Sequence, residues 1–159
     1  CLAGFMKILS KNFIKNFKGK IVNIHPSLLP KYKGLNTHKR VIENKDAFTG
    51  CTVHIVNSEL DSGKIILQKK IKVMKKDDEK SLAKRLLKVE NNIYPKALKN
   101  IIDLNQKKII YISCNPGTQA RDLKEIVTHG YKINKIKPID MFPHTPHIET
   151  VVTLVNERN

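Results

Sequence analysis

Apolar residues along the chain change their period several times, and each change marks an element. "GKIVNIH" at 19–25 gathers β-branched residues as a buried strand does, and Pro26 and Pro30 close it. A loop leads to "THKRVIENKD" at 37–46, which reads as a short helix. "GCTVHIVN" at 50–57 alternates, and "GKIILQKKIKV" at 63–73 follows it across the polar turn "SELDS", so two further strands are expected. From Asp77 the period turns helical, with Leu82, Leu86, Val89, Ile93, Ala97 and Ile101 three and four apart behind an acidic first turn, "DDE". Pro95 is expected to kink or break that helix. Beyond "DLNQKK" the pattern predicts a strand at "IIYIS", a helix over 118–129, a strand at "YKINKIK", a proline-rich loop and a last strand over 149–157. Strands alternating with helices predict α/β architecture, and "DLNQKK" is the one plausible seam between domains.

Composition narrows the class only a little. The chain has 159 residues, 40% hydrophobic and 28% charged, which suits a globular protein with a real core. Lysine interrupts every apolar run, so no membrane span is expected, and the first residues lack a signal-peptide pattern. A cytoplasmic location follows. Cys1, Cys51 and Cys114 cannot all pair and show no CxxC spacing, so neither a disulfide framework nor a metal site is expected, and a reduced compartment fits. The chain opens on Cys and an apolar segment, "CLAGFMKIL", as an element in mid-domain would, and this predicts a fragment of something longer. The formal net charge is +16, of which +13 lies in residues 1–105 and +3 in residues 106–159. Lysine dominates and arginine, the bidentate phosphate ligand, is scarce, so solvated lysine-rich faces are favoured over a patch that tracks a phosphate backbone.

Asn23 and His25 stand two apart in the first strand, so they project to the same face at its end, where open sheets place their ligands. An amide and a protonated imidazole aimed at one point stabilise an oxyanion growing from a carbonyl, and a carboxylate nearby would keep the imidazole charged. Asp61, in the turn after the next strand, is the candidate. The alternative is a turn cap. Four stretches, "LAGFMKILS", "NIHPSLLPKYKGLNTHKRVIENKD", "GCTVHIVNSELDSGKIILQ" and "ENNIYPKAL", resemble in order and spacing the phosphoribosylglycinamide formyltransferases of purine biosynthesis. The resemblance covers about two thirds of the chain and favours this family over methionyl-tRNA formyltransferase, which shares "SLLP" and the "LD.G" pattern. It implies that Asn23, His25 and Asp61 are catalytic: a substrate amine attacks the formyl carbon of 10-formyltetrahydrofolate, Asn and His hold the oxyanion, and Asp pairs with His and assists proton transfer. It further implies a folate-binding segment at Met6, Lys7, Ile8 and Leu9, where the family often has Arg at the position of Lys7, and a substrate-side role for Glu90. Glycinamide ribonucleotide is the implied substrate. The glycine-rich loop for its phosphate lies upstream in that family, and the seven glycines here form no cluster, so half of the substrate site is expected to be missing.

The second candidate is Cys114, which ends "IIYIS" before "NPGT" turns into a helix. A thiol at a sheet edge beside a helix start is expected to favour thiolate, and the alternative is a small buried apolar cysteine. Glu149 opens the last strand; if that strand runs antiparallel to "IIYIS", carboxylate and thiol meet at one rim as general base and nucleophile. "IIYISCNPGTQARDL" and "GYKINKIKPIDMFPHTPHIETVVTL" resemble the C-terminal end of the 23S rRNA and tRNA uracil-5-methyltransferases that use S-adenosylmethionine. In that family the cysteine adds to C6 of uracil, C5 takes the methyl group and the glutamate removes the C5 proton, so the resemblance implies those roles for Cys114 and Glu149 and implies RNA as a partner. The upstream cofactor-binding strands and acidic-proline motif of that family are not in this chain. His144 and His147 in "FPHTPH" read as loop residues rather than metal ligands.

The expectation is therefore a partial Rossmann-like formyltransferase domain over 1–105, followed by the last strands of a Rossmann-like methyltransferase domain over 106–159. Formyl transfer is the first functional reading, uracil methylation the second, and an inactive joined fragment the third.

Overall fold

The computed structural model describes residues 1–5, 7–141, 144–145 and 148–158. In chain order the elements are β1 (Leu2–Ala3), α1 (Lys11–Asn16), β2 (Val22–His25), α2 (Thr37–Glu43), β3 (Phe48–Ile55), β4 (Ile65–Lys72), α3 (Glu79–Ile102), β5 (Lys108–Ser113), α4 (Pro116–Thr128), β6 (Tyr131–Ile139) and β7 (Glu149–Asn156). Strands alternate with helices, so the architecture is α/β. By its contacts the chain divides into two compact units, one of residues 9–94 and one that joins residues 1–8 to residues 95–159.

In the first unit β3 pairs antiparallel with β2 on one side and with β4 on the other. Consecutive positions of β3 from Thr49 to His54 are buried, so both faces of this strand are covered, whereas most of β4 is exposed. Gly50 is required inside β3: a Cβ there would stand 2.0 Å from the Lys69 carbonyl oxygen. The β2–α2 loop is tied to β3 through Thr52, whose hydroxyl donates to Ser27 O at 2.6 Å and accepts from Leu29 N at 3.2 Å and Gln68 Nε2 at 2.8 Å. Leu29–Pro30 within that loop is a cis peptide. Leu82, Leu86, Ile93 and Tyr94 on α3 are buried, in line with the helical period of the sequence.

In the second unit β5 lies between β1, parallel to it, and β7, antiparallel to it, and β6 is the outer strand beside β7. Asn115 caps α4 by accepting from Thr118 N at 3.1 Å, with Pro116 in the first turn, and Gly130 follows the helix at φ +85°, where a side chain would strike Arg158. Gln119 is buried and donates to the carbonyls of Tyr111 and Thr150, at 3.0 and 2.9 Å, fastening α4 to two strands.

Two expectations need correction. Pro95 does not break the long helix, one of the two outcomes expected of it: the helix continues to Ile102, and the buried side chains of Ile93, Tyr94, Ala97 and Leu98 on either side offset the one backbone bond that proline removes. Among the described residues the opening apolar segment forms only the two-residue β1, and the amphipathic turn "KNFIKN" unexpectedly makes α1, capped by Ser10. The lysines of the outer strands, Lys69, Lys70 and Lys72 on β4 and Lys132, Lys135 and Lys137 on β6, are exposed, and charged outer strands resist pairing with other chains.

Candidate functional site

β2 is four residues long and its alternation turns Asn23 and His25 to one face. The antiparallel register sets Asn23 opposite His54 and His25 opposite Thr52, so β3 adds a second imidazole and a hydroxyl to that face. The register of β3 with β4 shifts between Val53 and His54, a bulge beside the site. Asp61 comes from the turn that follows β3, with φ +45°. Gly63 makes the return to β4 possible, since a Cβ there would lie 1.7 Å from the Ile55 carbonyl oxygen.

His25 is 6% exposed. Its Nδ1 faces Asp61 Oδ2 at 3.5 Å, and its Nε2 lies 2.9 Å from the Tyr32 carbonyl oxygen. The same carboxylate faces His54, Nε2 to Oδ1 at 3.6 Å, and accepts the Gly34 amide at 2.8 Å on Oδ2. His54 Nδ1 lies 3.0 Å from the Ile55 carbonyl oxygen. Burial pushes the His54 ring below the ordinary imidazole range; Asp61 works against that shift and His25 with it. His38, at the start of α2, is also held low, first by burial and further by His25, with Glu79 opposing. The structure thus brings His25 and Asp61 together and sets half-buried Asn23 on their face of β2.

His54 is the residue that sequence reasoning missed. Its signal was present in "GCTVHIVN", where a histidine occupies an alternating position of a strand, but the partner strand and register that aim it at Asp61 are not written locally.

The other expected residues are more scattered. Met6 lies outside the described residues. Lys7 and Ile8 are exposed and belong to the unit of residues 95–159, and Leu9 is half-buried in the other unit. Glu90 is half-buried on α3, and burial pushes its carboxyl up to about 7. The fully buried thiol of Cys51 is pushed up to about 12 by burial and by Glu90.

In the second unit β7 is antiparallel to β5, with Ser113 paired to Thr150, so Cys114 and Glu149 do stand at adjoining strand ends. Glu149 is buried and Cys114 half-buried. The thiolate expectation is overturned: burial raises the Cys114 thiol, and the Glu149 carboxylate raises it further, because a nearby negative charge disfavours a second one. Gly4, at φ +72°, passes so close that a Cβ on it would stand 2.6 Å from Cys114 Sγ. His144 is exposed at φ +67°, and His147 lies outside the described residues.

Comparison with known proteins matches residues 1–98 to the model of the family described as formyl transferase, and residues 95–157 to that described as tRNA (uracil-5-)-methyltransferase. A phosphoribosylglycinamide formyltransferase of Haemophilus influenzae is 51% identical over 98 residues, covering 62% of this chain and 46% of that protein. The human trifunctional purine biosynthetic protein adenosine-3 is 48% identical over 98 residues, 62% of this chain and 10% of that protein. The crystal structure of phosphoribosylglycinamide formyltransferase from Anaplasma phagocytophilum superposes with a TM-score of 0.62 at 44% identity, covering 69% of this chain and 52% of that one. The chain therefore spans about half the length of the Haemophilus relative. Among the described residues no helix is long and apolar enough to cross a membrane.

Proposed function

The chain belongs to the formyl transferase family, and from that premise we propose that residues 1–105 carry the groups for transfer of a formyl group from 10-formyltetrahydrofolate to the amine of glycinamide ribonucleotide. The observation that carries the reading is the His25–Asp61 pair at 3.5 Å, both side chains largely buried, with Asn23 on the same strand face. Attack of the amine on the formyl carbon forms a C–N bond and moves the carbonyl electron pair onto oxygen. The Asn23 amide donates to that oxyanion, and the His25 Nε2–H does so by exchanging the Tyr32 carbonyl for it. Asp61 orients the imidazole through its contact with Nδ1. It also takes the proton from the new C–N nitrogen and passes it to the leaving nitrogen of the folate, whose bond to the formyl carbon breaks as the oxyanion electron pair re-forms the carbonyl. Met6, Lys7, Ile8 and Leu9 are the proposed folate segment and Glu90 the proposed contact on the substrate side.

A second reading, methylation of uracil at C5 in RNA with S-adenosylmethionine as donor, is supported by the match over residues 95–157 and by the adjoining positions of Cys114 and Glu149. With the thiol held protonated beside Glu149, addition to C6 requires that carboxylate to take the thiol proton first. We place the boundary between the two segments at about residue 105. A joined chain with neither activity is the third reading.

The test is formyl transfer by the purified chain at high concentrations of glycinamide ribonucleotide and 10-formyltetrahydrofolate, compared with Asp61→Asn. Turnover that disappears in the variant supports the assignment, and turnover that survives it removes Asp61 from the mechanism. Incorporation of label from S-adenosylmethionine into uracil-containing RNA, lost in Cys114→Ala, would move the assignment to the second reading.

A further inference from the structure

We propose that Asp61 serves two imidazoles at once, and that His54 is a positioning residue whose second ring proton is held in common with Asp61 and His25. The geometry stands by itself; its meaning in catalysis rests on the formyl-transfer reading.

A backbone carbonyl can only accept a hydrogen bond. His54 Nδ1, 3.0 Å from Ile55 O, therefore carries a hydrogen, and so does His25 Nε2, 2.9 Å from Tyr32 O. In a neutral ring the other nitrogen is a bare lone pair. Those two nitrogens, His25 Nδ1 and His54 Nε2, face the two oxygens of Asp61 at 3.5 and 3.6 Å. A lone pair set against a carboxylate oxygen repels; a proton in the gap turns the contact into a charge-assisted attraction. His54 Nε2 is buried with no hydrogen-bond partner among the described residues, so Asp61 is the group that faces it. The third contact, the Gly34 amide, supports the anion whichever gap is filled.

Four forces act on the second proton of His54. Burial opposes it, the bond to the Ile55 carbonyl and the Asp61 carboxylate favour it, and charge on His25 opposes it. His25 is the titratable group from β2, Asp61 the one from the turn after β3, and His38 with Glu79 the next pair outward, coupled to His25. Asp61 thus links the proton counts of the two rings. In formyl transfer, the carboxylate that takes a proton from the amine nitrogen and returns it to the leaving nitrogen is held at its other oxygen by His54, whose own proton count is the same before and after the cycle.

The experiment is a pH titration of the imidazole nitrogens by NMR on the 15N-labelled chain, with no substrate present. Above its midpoint His54 should be the Nδ1–H tautomer. Asp61→Asn should lower the His54 midpoint and His25→Asn should raise it, each by roughly half a pH unit or more, about threefold in the protonation constant. Amide dispersion confirms folding, and the two variants move the signal in opposite directions, so a general loosening cannot imitate both. A His54 midpoint unmoved in folded variants, or a wild-type Nε2–H tautomer, overturns the proposal. Coupled titration in a chain that transfers no formyl group would leave this inference standing and remove the function proposed above; formyl transfer with uncoupled rings would do the reverse.

Discussion

Asp61, in the turn after β3, and Glu149, at the start of β7, each stand beside a group that gains or loses a proton, and their neighbours send them in opposite directions. Asp61 meets two imidazoles and a backbone N–H, groups that are strengthened by an anion, so the carboxylate favours charge around it. Glu149 meets a thiol, which becomes nucleophilic only as an anion, and the carboxylate suppresses that anion. The same side-chain chemistry therefore favours positive charge beside Asp61 and disfavours negative charge beside Glu149. Proximity of a carboxylate to a candidate catalytic group says little until the charge type of that group is counted.

The largest test of the contrast is Asp61→Asn, which keeps shape and removes charge; formyl transfer should fall at least about 100-fold, as measured by initial rates. A fall of a few-fold would mean that the carboxylate does not organise the site. Next comes the accessibility of the thiols. Half-buried Cys114 should react with iodoacetamide roughly a hundredfold faster than Cys51, which is fully buried with its thiol pushed up to about 12, as peptide mapping after timed quenching would show.

Glu90 supplies a third carboxylate, raised by burial alone. The folded chain holds that proton up to about 7, whereas the ordinary glutamate value is 4.5, so between these values the folded state binds more protons than the unfolded one. Stability contributed by this group is present at low pH and is lost as pH rises through that window. Glu90→Gln should flatten the loss, which is on the order of 2 kcal/mol, in urea melts at pH 5 and pH 8. The smallest effect is expected for Glu149→Gln. With the neighbouring charge gone, alkylation of Cys114 at pH 8 should speed up by about threefold, and a slower reaction would reverse the sign assigned to Glu149.

Much of the first site is legible locally, because a period of two places Asn23 and His25 on one face and a polar turn places Asp61 near a strand end. The missing half is His54. Its direction depends on the register that sets Asn23 against it, and register is decided by pairing between segments some thirty residues apart. The thiol was misjudged for a related reason. Its position beside the start of α4 is local and visible, but the burial and the Glu149 charge that overrule the helix start come from a strand far along the chain. Pro95 shows the same limit, since its local cost is readable and the buried contacts that offset it are not.

The pairing of Leu2 with Ile112 has a consequence for synthesis. During translation, residues 1–8 leave the ribosome early and have no strand to join until β5 follows them out, by which time the whole of residues 9–94 has emerged. The unit that is contiguous in sequence can close first, while the tether to β1 remains an open loop whose closure carries the larger entropic cost. Nascent chains arrested before Lys108 should therefore protect β2 and β3 from protease while leaving β1 open to cleavage, and release of the full chain should bring β1 under protection last.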